Sequence, residues 1–358
     1  MNIAFCGGGT LGHIYPALAL INKYHQKYPN DRIIFITNQK DKERLETIDL
    51  SGINKVYYFE CLGKSKSIIK NIKMIYCNLK EQRKIKKLLK REKIELVMGM
   101  GGYISGITIK TAQNLKLKTI IHEQNSVIGL ANKLVVKKAD TFLTTFPLPS
   151  YITNQYVVGN PRYYDAWEYK DSEYRSPQNI LITSGTIGSE AINKLAIQFL
   201  NDEYSKNFTT TLITGAKYFD DVKAKIKEGT HYEVLAYSNQ MLELMSRAGI
   251  IISRSGSTTI FEILGSKAIP IFVPSPNVTA NHQFFNAQRK GNGDESHHQP
   301  RGGQIAERVE VLKLTCHLRF PVQKVAESIN LRVCVYTAET VSHHAVGKKA
   351  RNSYRYKG

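Results

Sequence analysis

Four short apolar runs in this chain each end in a glycine-rich turn that leads into a helical pattern. The turns lie at residues 7–13, 99–106, 183–190 and 253–262. Glycine permits tight turns and close backbone approach, and a helix N-terminus behind such a turn favours an anion. Any one turn could serve only to reverse the chain, but four of them, each at a strand end, favour the binding of phosphates or sugars.

The apolar runs fall into two sets, separated by a polar and aromatic stretch at 159–178 that is predicted to be an interdomain connection. The first set predicts strands at 2–6, 32–37, 55–59, 95–100, 118–122 and 141–145. The second set predicts strands at 179–185, 209–214, 232–237, 249–253 and 269–274. Strand, turn and helix repeated in this way predict an α/β protein with two doubly wound parallel sheets, spanning residues 1–158 and 179–288. Ligands of such sheets bind at the carboxyl ends of the strands, so a cleft between the halves is the expected site.

Composition limits the class of protein further. Five scattered cysteines without a C-x-x-C pair are typical of a reduced, cytosolic chain. The N-terminus shows no signal peptide, and no apolar run is long enough to predict a transmembrane helix. The formal net charge of +20 favours phosphate-bearing partners without choosing among nucleotide, nucleic acid and anionic lipid.

The composition changes near Arg289. Residues 289–358 hold half of the ten histidines and two isoleucines, and 290–304 has the composition of a loop or a disordered segment. We predict an irregular tail that either has a role of its own or comes from a different coding frame. The histidine pairs have no cysteine partner or helical pattern, so no metal site is predicted there.

The first turn also raises the possibility of a nucleotide-dependent oxidoreductase, because Gly7, Gly9 and Gly12 fit G-x-G-x-x-G. A dinucleotide site needs an acidic residue near the end of the second strand, and residues 36–40 contain none. A non-enzymatic basic module that binds nucleic acid or membrane would explain the charge, but not the four turns. Both alternatives are therefore disfavoured.

Several polar residues at strand ends could carry chemistry. His13 could be a base, a phosphate ligand or only a helix cap. Glu123 and Asn125 could act on a ligand or anchor their loop. Arg254 could meet a ligand or be an exposed charge, and Glu262 could accept ribose hydroxyls or interact with the helix dipole.

Taken together, these residues resemble the MurG family of N-acetylglucosaminyltransferases. The motifs are G-G-T-x-G-H, G-M-G-G-Y-x-S-G, H-E-Q-N, G-N-P-R, R-S-G-x-x-T-x-x-E and P-S-P-x-V-T-x-N-H-Q, and they cover residues 1 to about 288. The resemblance implies the GT-B fold, with an acceptor- and membrane-side Rossmann-like domain before a donor-binding one. It implies inverting transfer of N-acetylglucosamine from UDP-N-acetylglucosamine to lipid I, which gives lipid II at the inner membrane face. It implies no cofactor, and nucleic acid is not an expected partner.

The resemblance also assigns roles to individual residues. The candidate catalytic residues are His13, Glu123 and Asn125. The candidate donor-binding residues are Thr10, Leu11, Gly12, Asn125, Arg162, Thr186, Ser238, Arg254, Ser257, Thr258, Glu262, His282 and Gln283. The candidate ligands of the acceptor diphosphate are Gly9, Gly12, Gly101, Gly102 and Tyr103. The chain has no D-x-D motif, so we expect loop amides and a helix N-terminus, rather than a metal ion, to meet the leaving-group charge.

The chain departs from the family pattern in three places. Leu11 replaces a common glycine, Ile187 replaces a common glutamine, and the tail after Arg289 does not resemble the family's end. The tail leaves open a chain that is inactive. A related GT-B transferase with another acceptor is a further alternative, against which the H-E-Q-N stretch and the second glycine turn argue.

Residues 64–93 combine many lysines and arginines with an apolar stripe, which predicts a basic amphipathic helix. Such a helix can lie on an anionic membrane surface. Over residues 80–93 the stripe could equally be the core face of a crossover helix. We therefore expect peripheral attachment to the cytoplasmic side of the membrane through the first part of this segment.

Overall fold

The computed structural model describes residues 1–63, 67–148, 152, 155–170, 172–185 and 187–291, with the backbone alone at 289–291. Within them, two parallel sheets are each covered on both faces by helices. Thr186, residues 64–66 of the basic segment and the tail from residue 292 lie outside the described residues, so the expectations for them stay predictions.

The first sheet contains seven parallel strands in the order β3-β2-β1-β4-β5-β6-β7. The strands are β1 Asn2–Cys6, β2 Arg32–Asn38, β3 Lys55–Phe59, β4 Leu96–Gly99, β5 Lys118–Glu123, β6 Thr141–Thr144 and β7 Gln155–Val157. Successive side chains of a strand point to opposite faces, so Ile3 and Phe5 join one buried cluster while Ala4 and Cys6 join another. The two clusters explain why the strands are nearly continuously apolar.

The second sheet contains five parallel strands in the order β10-β9-β8-β11-β12. These strands are β8 Ser176–Thr183, β9 Thr209–Ile213, β10 Tyr232–Leu235, β11 Ala248–Ser253 and β12 Ile269–Phe272. Ile180 and Leu181 enter different buried clusters, so this sheet also has a core on each face. The predicted α/β fold with two doubly wound parallel sheets is confirmed.

The helices follow the strands, as the repeated pattern predicts. They are α1 Leu11–Lys27, α2 Lys42–Leu45, α3 Ile68–Arg91, α4 Gly102–Asn114, α5 Leu130–Val135, α6 Arg162–Trp167, α7 Glu190–Leu200, α8 Phe219–Lys223, α9 Met241–Arg247, α10 Ser257–Ser266 and α11 His282–Gly291. Because α1, α4 and α10 each begin directly after a strand and a glycine turn, their N-termini lie at the carboxyl ends of the strands.

One strand and one strand boundary in the middle of the chain differ from the prediction. The short strand β7 pairs with β6 at the sheet edge, and its Tyr156 and Val157 are exposed. A three-residue strand without a buried face gives almost no periodic signal, which is why the sequence analysis missed it. Strand β8 also begins three residues before the expected residue 179.

Helix α3 divides into two parts along its length. Six large apolar side chains of its first three turns are at least half exposed: Ile68, Ile69, Ile72, Ile75, Tyr76 and Leu79. Farther along the helix, Ile85, Leu88 and Leu89 are buried in the first-sheet core. Within residues 80–93 the apolar side chains therefore pack into the core of the first sheet. The apolar side chains of residues 68–79 face away from that core.

Candidate active site

The two halves of the chain meet at the carboxyl ends of their sheets. The Thr258 hydroxyl at the start of α10 donates to the Gly12 carbonyl oxygen at 3.1 Å, and the Ser257 hydroxyl donates to the Gln124 carbonyl oxygen. A Cβ on Gly12 would lie 3.8 Å from the Thr258 hydroxyl. The first glycine turn of the first half therefore faces the α10 N-terminus of the second half directly.

The first two glycine turns pack against each other around His13. A Cβ on Gly101 would lie 2.5 Å from His13 Nδ1, and a Cβ on Gly102 would lie 2.3 Å from the Gly8 carbonyl oxygen. Gly101 and Gly102 also have positive φ angles of +106° and +83°. Only glycine allows this approach, so the turns are built to bring two helix N-termini and one imidazole together.

His13 lies in a desolvated position between these turns. Its Nδ1 is buried and has no hydrogen-bond partner within the described part of the chain. Burial lowers the pKa of His13 to about 4, so the imidazole is neutral at pH 7. Nδ1 is enclosed against Gly101, so a ligand can reach this half-buried imidazole only through Nε2.

Loop one, which we define as residues 7–13, is bound by the buried carboxylate of Asp41, which the sequence alone did not predict as part of the site. The Gly9 amide donates to Asp41 Oδ2 at 2.7 Å, and Asp41 is fully buried. Residues 36–40 contain no acidic residue, which disfavours an NAD site, yet Asp41 follows that segment directly. Thr37 and Arg44 also bind its carboxylate, so it is not free to hold a ribose.

Tyr103, a candidate acceptor residue, stands in the first turn of α4 and is 44% exposed. A Cβ on Gly63 would lie 2.3 Å from its ring, so the ring rests on that backbone. Tyr103 and the exposed Gly9 and Thr10 therefore belong to the accessible surface of the first half.

The H-E-Q-N stretch supplies one carboxylate whose acceptor capacity is already used. Glu123 accepts hydrogen bonds from the Asn125 amide at 3.0 Å, the Gly129 amide at 2.8 Å and the Asn132 side chain at 2.8 Å. Burial raises the pKa of Glu123, and these hydrogen bonds oppose the rise. The geometry favours the loop-anchor interpretation of Glu123 over the catalytic one.

Asn125 lies at the junction of the halves. Its Oδ1 accepts from Asn286 Nδ2 at 3.2 Å, and Asn286 Oδ1 accepts from the Ser126 amide at 2.9 Å. Asn286 is fully buried and lies on α11, 161 residues away from Asn125. Sequence reasoning missed Asn286 because nothing local marks a helix residue that reaches across to the other half.

The ribose candidate Glu262 is buried on α10 and paired with Arg162 of α6. Arg162 Nε donates to Glu262 Oε1 at 2.7 Å, and its NH1 donates to Asp165 at 2.7 Å. The guanidinium also lies over the Tyr15 ring of α1, 5.1 Å from its centroid. Burial and a hydrogen bond with Tyr237 raise the pKa of Tyr15, so Ser238, next to Tyr237, adjoins the same cluster.

Arg254 is half-buried and is held by three acceptors of the second half. Its NH1 donates to the carbonyl oxygens of Val273 and Pro274 at 3.0 and 3.1 Å, and its NH2 donates to the Ser189 hydroxyl. It therefore ties the fourth glycine turn to the third turn and to the end of β12. The exposed-charge expectation for Arg254 is wrong, because the tertiary fold places three acceptors around the guanidinium.

The start of α10 has no side-chain cap. Its N-cap is Gly256, so the first amides of the helix have no side-chain acceptor of their own. Ser257 and Thr258 use their hydroxyls to hold the first half, which leaves their amides for a ligand. Thr186 lies outside the described residues, and its neighbour Ile187 is 75% exposed.

The sugar candidates His282 and Gln283 begin α11. His282 Nδ1 hydrogen-bonds with the Thr279 carbonyl oxygen at 2.9 Å, and Gln283 Oε1 accepts from the Ser275 amide at 2.8 Å. The Ser255 hydroxyl donates to the Gln283 carbonyl oxygen at 2.8 Å. These contacts fix the start of α11 beside the fourth glycine turn.

Comparisons with known proteins agree with this architecture. Residues 3–144 match the glycosyltransferase family 28 N-terminal domain, and residues 179–293 match the C-terminal domain of that family. Among solved structures, MurG from Acinetobacter baumannii shares the fold with a TM-score of 0.62 at 24% identity, covering 81% of this chain and 83% of its own. A glycotransferase of kitacinnamycin shares it with a TM-score of 0.60 at 12% identity, covering 96% and 93%.

Curated relatives are closer in sequence. The UDP-N-acetylglucosamine–N-acetylmuramyl-(pentapeptide) pyrophosphoryl-undecaprenol N-acetylglucosamine transferase of Oenococcus oeni is 33% identical over 309 residues, covering 81% of each chain. The enzyme of the same name from Lactococcus lactis subsp. cremoris is 34% identical over 310 residues, covering 80% of this chain and 82% of its own.

Two Rossmann-like halves in contact at the carboxyl ends of their sheets form the GT-B fold, and the matches to both family 28 domains make the chain a glycosyltransferase. The chain belongs to the MurG family of N-acetylglucosaminyltransferases within glycosyltransferase family 28. It is therefore a hexosyltransferase, and the oxidoreductase and non-enzymatic alternatives are set aside. No helix among the described residues is long and apolar enough to cross a bilayer.

Proposed function

We propose that this enzyme transfers N-acetylglucosamine from UDP-N-acetylglucosamine to lipid I and so makes lipid II for peptidoglycan. The names of its relatives support this reaction. The observation that carries it is the direct contact between loop one and the α10 N-terminus. Two anion-favouring helix N-termini, one from each half, fit an acceptor diphosphate and a donor diphosphate that meet at one reaction centre.

The chemical step is a direct displacement with inversion. The C4 hydroxyl oxygen of the acceptor sugar attacks C1 of the donor sugar, the bond from C1 to the diphosphate oxygen breaks, and UDP leaves with that electron pair. The hydroxyl proton passes to a base, for which His13 is the better candidate because Glu123 already accepts from three donors of its own loop. The amides at the start of α10 meet the charge that develops on UDP.

Donor recognition is assigned to the second half. Glu262 accepts the ribose hydroxyls, the backbone at Ser238 reads the uracil, and His282 and Gln283 contact the N-acetylglucosamine. The Arg162–Glu262 pair supports this assignment, because it fixes the carboxylate at the cleft instead of leaving it in solvent. Acceptor recognition is assigned to the first two glycine turns.

Attachment to the membrane is assigned to the exposed face of α3. Its outward apolar side chains alternate with exposed lysines at 70, 73 and 80, and each cation near an anionic surface contributes about 1 kcal/mol. This face would place the acceptor side of the cleft at the cytoplasmic leaflet, where a lipid-borne substrate is reached.

Transfer of labelled N-acetylglucosamine from UDP-N-acetylglucosamine to lipid I, with and without EDTA, tests the proposal. We expect lipid II in both reactions. A chain that binds UDP by calorimetry but glycosylates only acceptors other than lipid I would contradict the assigned substrate. Transfer that EDTA abolishes and Mg²⁺ restores would contradict the metal-free part.

A further inference from the structure

Asp41 is a buried carboxylate with three donors around it. It accepts from the Gly9 amide at 2.7 Å, from the Thr37 hydroxyl at 3.1 Å and from Arg44 NH1 at 3.0 Å. A Cβ on Gly8 would lie only 2.5 Å from Asp41 Oδ2, so loop one rests directly on this carboxylate. A buried charge with this many hydrogen bonds fixes the conformation of what it holds.

This arrangement changes which groups of loop one can meet an acceptor. The Gly9 amide points inward to Asp41 and is not available to a phosphate, contrary to the expectation for this residue. What remains at the surface is the start of α1 and the Arg44 guanidinium, which is 44% exposed. Arg44 NH1 also lies 3.5 Å from the Gly9 carbonyl oxygen, so the guanidinium borders the exposed part of the loop.

We propose that Arg44 is a further ligand of the acceptor's diphosphate and that Asp41 is the positioning residue that holds both Arg44 and loop one. The inference rests on the proposed function of loop one as the acceptor side. Guanidinium groups bind phosphate oxygens through paired N–H groups, and Arg44 can do so while NH1 stays on Asp41. Its charge also offsets the repulsion between a diphosphate and the carboxylate beneath the loop.

Steady-state kinetics of the full chain, with a short-prenyl lipid I analogue as acceptor and saturating UDP-N-acetylglucosamine, test the contact. We expect Arg44→Gln to raise the acceptor KM about 10- to 100-fold, as for loss of a charged hydrogen bond, with the donor KM unchanged. Arg44→Lys should recover part of the loss. Arg32→Gln is the matched control, because Arg32 is 43% exposed and also paired with a carboxylate; it should leave both KM values unchanged.

A double variant distinguishes a direct contact between Arg44 and the diphosphate from a role of Arg44 that is limited to neutralising Asp41. If Arg44 touches the diphosphate, Arg44→Gln still raises the acceptor KM in an Asp41→Asn background, although by less than in wild type because Asp41 no longer positions Arg44. If Arg44 only neutralises Asp41, the effect vanishes in that background, and the proposal is overturned. An acceptor KM within twofold of wild type for Arg44→Gln alone would overturn it as well.

Failure of the proposed function would be visible separately. A wild-type chain that transfers nothing to lipid I contradicts the proposed function, whatever Arg44 does. Calorimetric titration of the same analogue into wild type and Arg44→Gln then decides on Arg44: tighter binding to wild type supports the contact, and equal or undetectable binding to both overturns it.

Discussion

At the scale of single residues, the polar groups of the cleft differ in how much of their hydrogen-bonding capacity is already used. Glu123 and Arg254 are surrounded by partners that hold loops in place. His13 has an unused buried nitrogen, and Glu262 shares its carboxylate with a single arginine. A substrate can engage only a group that still has unused capacity.

The contrast between Glu123 and His13 gives a first prediction. Glu123→Gln places an amide NH₂ against hydrogen-bond donors, so we expect it to destabilise the protein by about 1–3 kcal/mol while kcat of the folded enzyme stays within about tenfold. His13→Ala should instead lower kcat about 10²- to 10⁴-fold, the usual contribution of a general base. Thermal unfolding and initial rates measure the two effects. The reverse pattern would make Glu123 the base.

Glu262 gives a second prediction at this scale. Glu262→Gln keeps the side-chain volume but weakens hydrogen bonds from the ribose, so the KM for UDP-N-acetylglucosamine should rise about 10- to 100-fold. A 2′-deoxyribose donor should show a much smaller ratio between wild type and variant. Glu203→Gln, an exposed control that is also paired with a basic residue, should change neither. Equal ratios with both donors would rule out the ribose contact.

At the scale of elements, α3 combines a core half with an outward apolar half. Ile72→Asp with Tyr76→Asp should weaken binding to anionic vesicles about 100-fold, because each apolar side chain removed from the membrane loses about 1.5–3 kcal/mol at full burial. The thermal midpoint should not fall, since both side chains are exposed. Vesicle sedimentation measures the binding.

The control for this prediction is Tyr169→Asp, an exposed tyrosine far along the chain, which should bind vesicles like wild type. Binding should also fall in 1 M salt, where the Debye length is about 3 Å. Attachment that ignores both the anionic lipid content and the salt concentration would argue against the electrostatic part of the proposal.

At the scale of the whole molecule, buried polar contacts tie the first sheet to the chain that leaves it. His122 at the end of β5 is buried, and its Nε2 donates to the Gly159 carbonyl oxygen at 3.0 Å, directly before α6. Burial lowers the pKa of His122 to about 4. This imidazole therefore stays neutral in the folded protein while the unfolded chain takes up a proton below about pH 6.5.

A pH dependence of stability follows from that difference. The lowered pKa contributes stability that is present above about pH 6.5 and is lost as the pH falls towards 4. Between pH 7 and 5, His122 should account for a loss of about 2 kcal/mol in unfolding free energy. The unfolding free energy, measured by urea unfolding at several pH values, should fall less steeply with decreasing pH for His122→Gln than for wild type. Parallel pH profiles of the two proteins would refute this role of His122.

The sequence predicted most of the fold because the relevant signals are local. Runs such as 32–37 are apolar throughout, as buried parallel strands are, and glycines mark the turns that follow. The edge strand β7 was not predicted, because it has only three residues and no buried face. For the cleft, the motifs indicated which residue types matter, but their partners lay far away in the chain.

The amino-acid order alone determined the class of fold, the four glycine turns and the family, because periodicity and motif spacing are properties of neighbouring residues. The tertiary structure decided which polar side chains of these motifs already have a hydrogen-bond partner within the protein. It placed Asp41 under Gly9 across 32 residues, Asn286 against Asn125 across 161, and three acceptors around Arg254. The physical reason is that a buried polar group must find a partner, and only the folded chain shows whether that partner is already within the protein.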